Sequence, residues 1–583
     1  MIVDQKERDV RLEKISVAVL ATGVALGAVA IGLAPARALR SGDDAPVAGV
    51  SLPAMSVAPA MTPQVAQDRC AAMAQTALKN VRIQKTELID GGVFQLPGGD
   101  AMMTSRGAST TESGKVTDLP PFCRIVGTIE KEINFEVWLP LEWNGKFHGV
   151  GIGGFAGTIT YVGSHKSLPG LSDALKRGYA AVATDTGHEL DRGDQYGAAW
   201  SFGQPERVRN FLLEGTHKAA VVAKQIVSSF YGRSPTFSTF AGCSGGGHQA
   251  LLEATRYPED YDAIVAFAPT NPQLAWAFLF NASLASHRTP EAILSPKDVQ
   301  VTWDAIFKKC DANDGLTDNS IEDPRRCDFK PAQLLCKPGQ TSGCLTAPQV
   351  KGLEVYYRPL RNAKGGTHFP GPGENYFAGQ APGRGPSTIV HSGAEVTPFE
   401  TGFGRFYTQK PNWDWRSFTP QLVDKIVAAT HDTEWTSNFD AFRKRGGKLL
   451  IVQGWADWGI TPETTIAFYK KALGIELGRN VSSATPPYDA SSFMRLVMAP
   501  NTDHCSVGQY GGSDFDALTA VDKWRDTGVA PARIISERLM AGKKVRTRPL
   551  CPFPQEAIYK GTGDIDDARN FECKVRTIGR TTR

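Results

Sequence analysis

Three separated stretches carry side chains that together could turn a hydroxyl into a nucleophile. Gly242-Cys243-Ser244-Gly245-Gly246 fits G-x-S-x-G, the tight turn that lifts a serine hydroxyl above the end of a strand. A serine hydroxyl is a weak nucleophile near neutral pH and needs a hydrogen-bonded imidazole, itself oriented by a carboxylate. Asp457, in Gly454-Trp-Ala-Asp-Trp, and His504, in Asn501-Thr-Asp-His-Cys, complete the chain order serine, carboxylate, histidine that accompanies this turn. Ten histidines compete for the role of base. His248 lies four residues past Ser244 and is expected to point away from its hydroxyl, while His188 and His217 read as polar residues at element ends. Asp503 is the rival carboxylate, but it adjoins His504 and could not easily face the ring. The chemistry expected is acyl transfer through an acyl-enzyme, with the tetrahedral oxyanion held by two backbone N–H groups. Gly245 is expected to supply one, and Gly154, in the glycine-rich loop Gly151-Ile-Gly153-Gly154-Phe155, the other.

Each of these residues has to stand at the end of a strand. Thr236 to Ala241 reads as a strand directly before Ser244, and Gln249-Ala-Leu-Leu-Glu-Ala as part of the helix after it. Lys448 to Gln453 precedes Asp457, and Met494 to Met498 precedes His504. Upstream, Phe135-Glu-Val-Trp-Leu, Lys146-Phe-His-Gly-Val-Gly and Tyr179-Ala-Ala-Val-Ala-Thr are short apolar runs set off by turn residues. Ala219, Val222, Ile226 and Phe230 recur at helical spacing, giving strand, helix, strand and hence a parallel sheet. Ala263 to Pro269 is a further strand. Residues 272–446 then hold four cysteines, many Gly and Pro, and several aromatic residues. A structureless loop of that length is rare in a compact domain, so this stretch is expected to be an inserted lid on a catalytic body formed by 67–271 and 447–583.

The composition narrows the class further. Of 583 residues, 41% are apolar and 21% charged, which excludes a disordered or fibrous chain. A net charge of +4 is too small for a phosphate-backbone footprint, so nucleic acid is not expected as a partner. Ile15 to Ala34 is an uncharged apolar run preceded by Arg11 and Lys14 and followed by Ala36-Arg37-Ala38, the pattern of a leader cleaved near Ala38. Its length, and Asp4, Glu7, Asp9 and Glu13 before it, also fit an uncleaved anchor. Either way the body is expected to be secreted or periplasmic. Residues 39–66, rich in Ala, Pro, Ser and Val, read as a linker, with folding expected to begin near Cys70. Ten cysteines in an exported chain read as five bridges. Cys243 immediately precedes Ser244 and Cys505 immediately follows His504, so a bridge between them would tie two catalytic loops together.

Asp311-Ala-Asn313-Asp314-Gly315-Leu-Thr-Asp318 sets three carboxylates and an amide around a glycine turn directly after Cys310. Hard oxygens at this density suit calcium, although the glycine comes one position too early for an EF-hand loop.

Together these segments resemble the tannase and feruloyl esterase family of alpha/beta hydrolases, which also contains the enzyme that hydrolyses mono(2-hydroxyethyl) terephthalate. The resemblance runs from about Cys70 to Cys573. It is carried by Gly178-Tyr-Ala-Ala-Val-Ala-Thr-Asp-Thr-Gly-His188, Cys243-Ser244-Gly-Gly-Gly-His-Gln249, Arg256-Tyr-Pro-Glu-Asp-Tyr-Asp262, Asp457 and His504-Cys505. It implies an α/β alpha/beta-hydrolase fold with a large lid domain inserted before the strand leading to the catalytic Asp457, and the Cys243–Cys505 bridge beside the triad. It also implies bridges Cys70–Cys123, Cys310–Cys327, Cys336–Cys344 and Cys551–Cys573. A structural calcium is implied on the side chains of Asp311, Asp314 and Asp318 and the backbone carbonyls of Leu316 and Ser320, with no organic cofactor. Two residues depart from the family pattern: Gly245 replaces a bulkier residue, which loosens the expected oxyanion donor, and His248 stands where Arg is usual. The substrates implied are small aromatic acid esters, whether hydroxycinnamoyl, galloyl or terephthaloyl. Trp303, Phe403, Phe406, Tyr407 and Trp413 of the lid could stack on an aromatic acid or form the lid's own core, and Arg405 is a candidate anchor for a substrate carboxylate. Acyltransferase or thioesterase chemistry on the same triad, and a non-catalytic calcium-stabilised binding protein, are the alternative readings.

Overall fold

Short apolar runs punctuated by turn residues build a nine-stranded sheet in the computed structural model, which describes residues 61–97, 114–190, 197–286, 289–369, 398–457, 459–473, 492–505, 514–540 and 543–576. Its strands are β1 Val81–Ile89, β2 Phe122–Ile129, β3 Ile133–Pro140, β4 Lys146–Val150, β5 Ala180–Thr184, β6 Phe237–Cys243, β7 Ala263–Phe267, β8 Lys448–Gly454 and β9 Met494–Ala499. The order across the sheet is β1-β2-β3-β5-β4-β6-β7-β8-β9. The first three strands and the β3/β5 pair are antiparallel, and every pair from β5/β4 to β8/β9 is parallel. Strands covered on both faces lose the in-out alternation and become continuous apolar runs. Every residue of β5, β6 and β7 is buried accordingly. This is the alpha/beta-hydrolase fold.

The chain enters through helix α1, Pro63–Ala72. Thr62 caps it through a bond from the Val65 N–H, and proline occupies its first turn, two local signals that start a helix. The linker expected over 39–66 therefore ends earlier than its sequence boundary, and folding begins ahead of Cys70. The leader expected at 1–38 lies outside the described residues, as does most of that linker. Helix α2, Gly215–Tyr231, crosses from β5 to β6 and buries the expected stripe Ala219, Val222, Ile226 and Phe230. Helix α3, Gly245–Thr255, follows β6. The strand expected to reach Pro269 stops at Phe267, where Ala268 turns to φ +42°.

Between β7 and β8 the insertion is helical, with α4 Pro272–Ser286, α5 Pro296–Cys310, α6 Ala347–Tyr356, α7 Pro398–Thr408 and α8 Pro420–Thr430. It shares one hydrophobic core with the body: Phe155 of the β4 loop stacks on Phe403 of α7, with ring centroids 3.9 Å apart. After β9, the antiparallel pair Ile534–Met540 and Lys543–Leu550 folds back on the insertion, where Arg548 meets Asp318 at 2.5 Å. Five disulfides form, Cys70–Cys123, Cys243–Cys505, Cys310–Cys327, Cys336–Cys344 and Cys551–Cys573, and these are the pairings the resemblance implies. Among the described residues no helix is long and apolar enough to cross a membrane.

Candidate active site

The parallel strands deliver their following residues to one edge of the sheet, where crevices form beyond the carboxyl ends of strands. Ser244 follows β6, Gly151–Gly154 follows β4, Asp457 follows β8 and His504 follows β9. Ser244 takes φ +61° and ψ −116°, a conformation a side-chain-bearing residue holds only when its surroundings impose it. Two flanking glycines make the turn feasible. A Cβ on Gly242 would lie 2.5 Å from the Gly246 carbonyl oxygen, and one on Gly247 2.6 Å from that of Phe267.

Asp457 is buried and its two oxygens are differently engaged. Oδ1 accepts from the N–H groups of Gly459 (2.9 Å) and Ile460 (2.8 Å). Oδ2 lies 2.9 Å from His504 Nδ1 and 3.2 Å from Gln453 Nε2. Asp503 instead accepts from the backbone N–H of His504. Ser244 and His504 line one cavity, and their neighbours Cys243 and Cys505 are covalently joined with Cα atoms 5.8 Å apart. A carboxylate bonded to Nδ1 fixes the imidazole with its other nitrogen basic, which is the state a general base for a hydroxyl needs.

Gly245 and Gly154 both line the same cavity, with Gly154 at φ +61°. Gly245 opens helix α3, whose first N–H groups have no partner within the helix and carry the positive end of its dipole. The Gly154 loop is held from that helix: Ile152 donates its N–H to Gln249 Oε1 (3.1 Å), and Gln249 Nε2 donates back to the Ile152 carbonyl (3.2 Å). Gln249 is thus a positioning residue that the sequence did not single out.

The rest of the cavity wall is mostly apolar, from Phe211, Leu212, Ala275, Trp276, Phe403 and Ile460 with His248 and Thr270 among them, so of the five aromatic candidates only Phe403 lies on it among the described residues. Trp303 and Phe406 are core, Tyr407 packs on Trp276 and Phe406, and Trp413 packs on Trp276 and Phe280. Phe211 and Leu212 arrive from a π-helical turn, Asn210–Glu214, a local irregularity that often marks functional sites. Arg405 is two residues beyond Phe403 on the same helix and is not on the cavity wall; its Nε is buried without a hydrogen-bond partner.

The rival histidines are otherwise engaged. His248 lines the cavity, but its Nε2 is turned to the Leu212 carbonyl oxygen at 2.9 Å. His188, a few residues past the end of β5, is buried flat against Trp200 at 3.5 Å, and burial drives its pKa down to about 3. His217 bonds Asp260 at 2.5 Å and stacks on Tyr257.

In the insertion, the Asp311 oxygens accept from Asn319 and Ser320 N–H groups at 3.1 Å, and those of Asp314 from Leu316 (3.0 Å) and Glu322 (3.2 Å). Asp318 accepts from Ser320 N–H at 3.1 Å and faces Arg548 and Arg546. Burial pushes the Asp314 carboxyl up to about 6, and Asp318 and Asp311 add repulsion. Hard oxygen donors of this kind are what a hard cation takes together with carbonyls and water, although here Asp318 is already paired with the two arginines. The three carboxylates do not close as tightly as His217, Glu253 and Asp260, whose ligand atoms lie within 4.8 Å of one another. Asn501, three residues before His504, donates through Nδ2 to the Asn319 carbonyl and so joins this loop to the histidine loop.

Because the Cys243–Cys505 bridge closes a separation of 262 residues, the chain-entropy account gives it a stabilisation of about 5 kcal/mol. Cys243→Ala/Cys505→Ala is therefore expected to lower Tm by about 5 °C and to reduce kcat, since the serine and histidine loops lose their tie. Calorimetry alongside an ester assay checks both, and a Tm within about 1 °C of wild type would show that the bridge constrains little.

Comparison with known proteins places the chain in a family of esterases. Residues 115–574 match the family described as tannase and feruloyl esterase. An uncharacterized esterase of Xanthomonas campestris pv. campestris is 32% identical over 80% of this chain and 87% of its own. The "Probable feruloyl esterase B" of Aspergillus clavatus is 29% identical over 87% of this chain and 95% of its own. The crystal structure of an esterase from Aspergillus oryzae superposes with a TM-score of 0.74 at 26% identity, covering 87% of this chain and all of that one.

Proposed function

Since the chain belongs to the tannase and feruloyl esterase family and is thus a carboxylic ester hydrolase, we propose that it is an exported serine esterase of aromatic acid esters that works through an acyl-enzyme. The observation that carries this is the Asp457–His504 bond at 2.9 Å beside a cavity that Ser244 shares with His504. Ser244 Oγ attacks the ester carbonyl carbon as its proton passes to His504 Nε2. The Gly245 and Gly154 N–H groups receive the developing oxyanion, and Asp457 Oδ2 stabilises the imidazolium through Nδ1–H. Collapse expels the alcohol, which takes the proton from Nε2, and a water molecule repeats the cycle on the acyl-serine.

The wall of Phe211, Trp276 and Phe403 supports an aromatic acyl group, since flat rings gain both burial and ring contact there. Among the described residues no charged side chain lines this cavity, and Arg405 lies off its wall, which favours neutral hydroxycinnamoyl or galloyl esters over a terephthaloyl monoanion. Methyl ferulate, methyl gallate, mono(2-hydroxyethyl) terephthalate and ethyl acetate form the test panel. The two neutral aromatic esters are expected to exceed the others in kcat/KM by about 10-fold or more, and equal or faster turnover of ethyl acetate would reject the aromatic assignment. Five disulfides fit maturation in an oxidising compartment, where the run from Ile15 to Ala34 would direct the chain.

Calcium is part of the same proposal. Asp311, Asp314 and Asp318 would hold it with the carbonyls of Leu316 and Ser320, and its charge would relieve the carboxylate repulsion in that loop. The Asn501–Asn319 bond would pass the gain in order to the histidine loop. After thorough chelation, calcium at about 1,000 times its Kd is expected to restore about 4 kcal/mol of stability, seen as a rise in Tm together with kcat. A melting curve that calcium leaves unmoved would exclude the site.

A further inference from the structure

We propose that Gln453 and Thr465 are positioning residues that hold the Asp457 carboxylate in the rotation the His504 ring needs. The role deepens the esterase assignment and rests on it. Gln453 lies next to the end of β8 and is fully buried, and Thr465, on the following helix Pro462–Ala472, is buried as well. The strand before Gln453 is Leu449-Leu-Ile-Val452, so an amide interrupts a run of apolar side chains. A polar group buried there is costly unless it is hydrogen-bonded, and packing alone gives no reason for it.

The bonds it makes converge on the triad. Nε2 lies 3.2 Å from the Gly454 carbonyl oxygen, 3.0 Å from that of Ile460 and 3.2 Å from Asp457 Oδ2. All three atoms accept and none donates, so the amide cannot turn over without setting its own oxygen against them. Two N–H groups serve three acceptors, and the bonds are correspondingly long. The opposite end is held more tightly: Oε1 accepts from the Thr465 hydroxyl at 2.7 Å. Thr465 thus anchors the amide, and the amide reaches the oxygen that lies 2.9 Å from His504 Nδ1. The same Nε2 bonds the carbonyl of Ile460, whose N–H is one of the two on Oδ1, so one side chain closes the turn 454–460 around the carboxylate. That turn sets how the carboxylate is rotated. Hydrogen bonds weaken steeply away from linearity, and the direction of Nδ1–H fixes where the other ring nitrogen points.

The test compares Gln453→Met, Thr465→Val, Thr465→Ser and Gln453→Met/Thr465→Val by two readouts. One is steady-state turnover of methyl 4-hydroxycinnamate. The other is the rate at which a fluorophosphonate labels Ser244, followed by mass spectrometry, which needs the activated hydroxyl but no particular ester. Gln453→Met is expected to lower kcat and the labelling rate by about 10-fold or more, as for loss of a hydrogen bond to a charged group, with KM moving by less than about threefold. Thr465→Val is expected to lower both rates by about fivefold, and Thr465→Ser, which keeps the hydroxyl, to stay within about twofold of wild type. Because the two residues act as one unit, Thr465→Val should change the rates by less than about twofold once Gln453→Met is present.

Rates of Gln453→Met within about twofold of wild type, with or without a fall in Tm, would overturn the proposal, as would a Thr465→Val effect undiminished in the double variant. If Gln453→Met does not fold, Thr465→Val against Thr465→Ser decides, and equal rates in those two overturn it. Failure of the esterase assignment reads differently: wild type would turn over no ester, while labelling of Ser244 would still slow in Gln453→Met.

Discussion

Ser244→Ala is expected to lower kcat on a methyl hydroxycinnamate by about 10⁴-fold or more while KM moves by less than about threefold. The split follows from where each function resides. In the proposed mechanism the hydroxyl is the attacking atom, so its loss would remove the covalent route, whereas the cavity wall and the Gly245 and Gly154 N–H groups would stay in place. Alanine is smaller than serine and meets the same left-handed backbone, so the turn after β6 is retained. A residual rate above background is expected from the oxyanion donors and binding alone. Mass spectrometry of a rapidly quenched reaction should show the acyl increment on Ser244 in wild type. Turnover unchanged by the substitution would leave the family's chemistry to another residue, and added alcohol as a competing acceptor separates hydrolysis from acyl transfer.

Asp457→Asn is expected to cost about 10⁴-fold in kcat with little loss of stability, by a tautomer effect. The backbone N–H groups of Gly459 and Ile460 both donate to Oδ1, so the amide oxygen of asparagine must occupy that position. The NH₂ group then takes the place of Oδ2 and donates to His504 Nδ1. The ring proton moves to Nε2, and the lone pair that should face Ser244 is gone. Retained activity in Asp457→Asn would transfer the role to Asp503, whose carboxylate is committed to the His504 backbone N–H.

The site was legible because its chemistry is local in sequence even though its parts are distant. Ser244, Asp457 and His504 each follow a continuous apolar strand, and a buried parallel strand announces itself by that continuity. Val81–Ile89 went unread for the opposite reason: it is a half-exposed edge strand whose alternation slips between Ile83 and Lys85. The pocket wall was harder. Phe211 and Trp276 are ordinary aromatic residues in ordinary helical surroundings, and only the π-helical turn and the fold of the insertion bring them beside Ser244. The pair of hydrogen bonds from Gln249 to Ile152 depends on a loop some hundred residues away, and spacing carries no sign of it. The burial of His188 against Trp200 has no signal in the sequence either, since the partner is set by tertiary packing.

The Cys243–Cys505 link also orders events in the life of the chain. The nucleophile leaves the ribosome well before the base, and the two are fastened only when sulfurs 262 residues apart are oxidised. That fastening can form only once Cys505 has been translated and both thiols have met an oxidant. A batch produced in a reducing cytosol would lack that fastening, so its specific activity is expected to report the extent of oxidative maturation rather than the yield of chain.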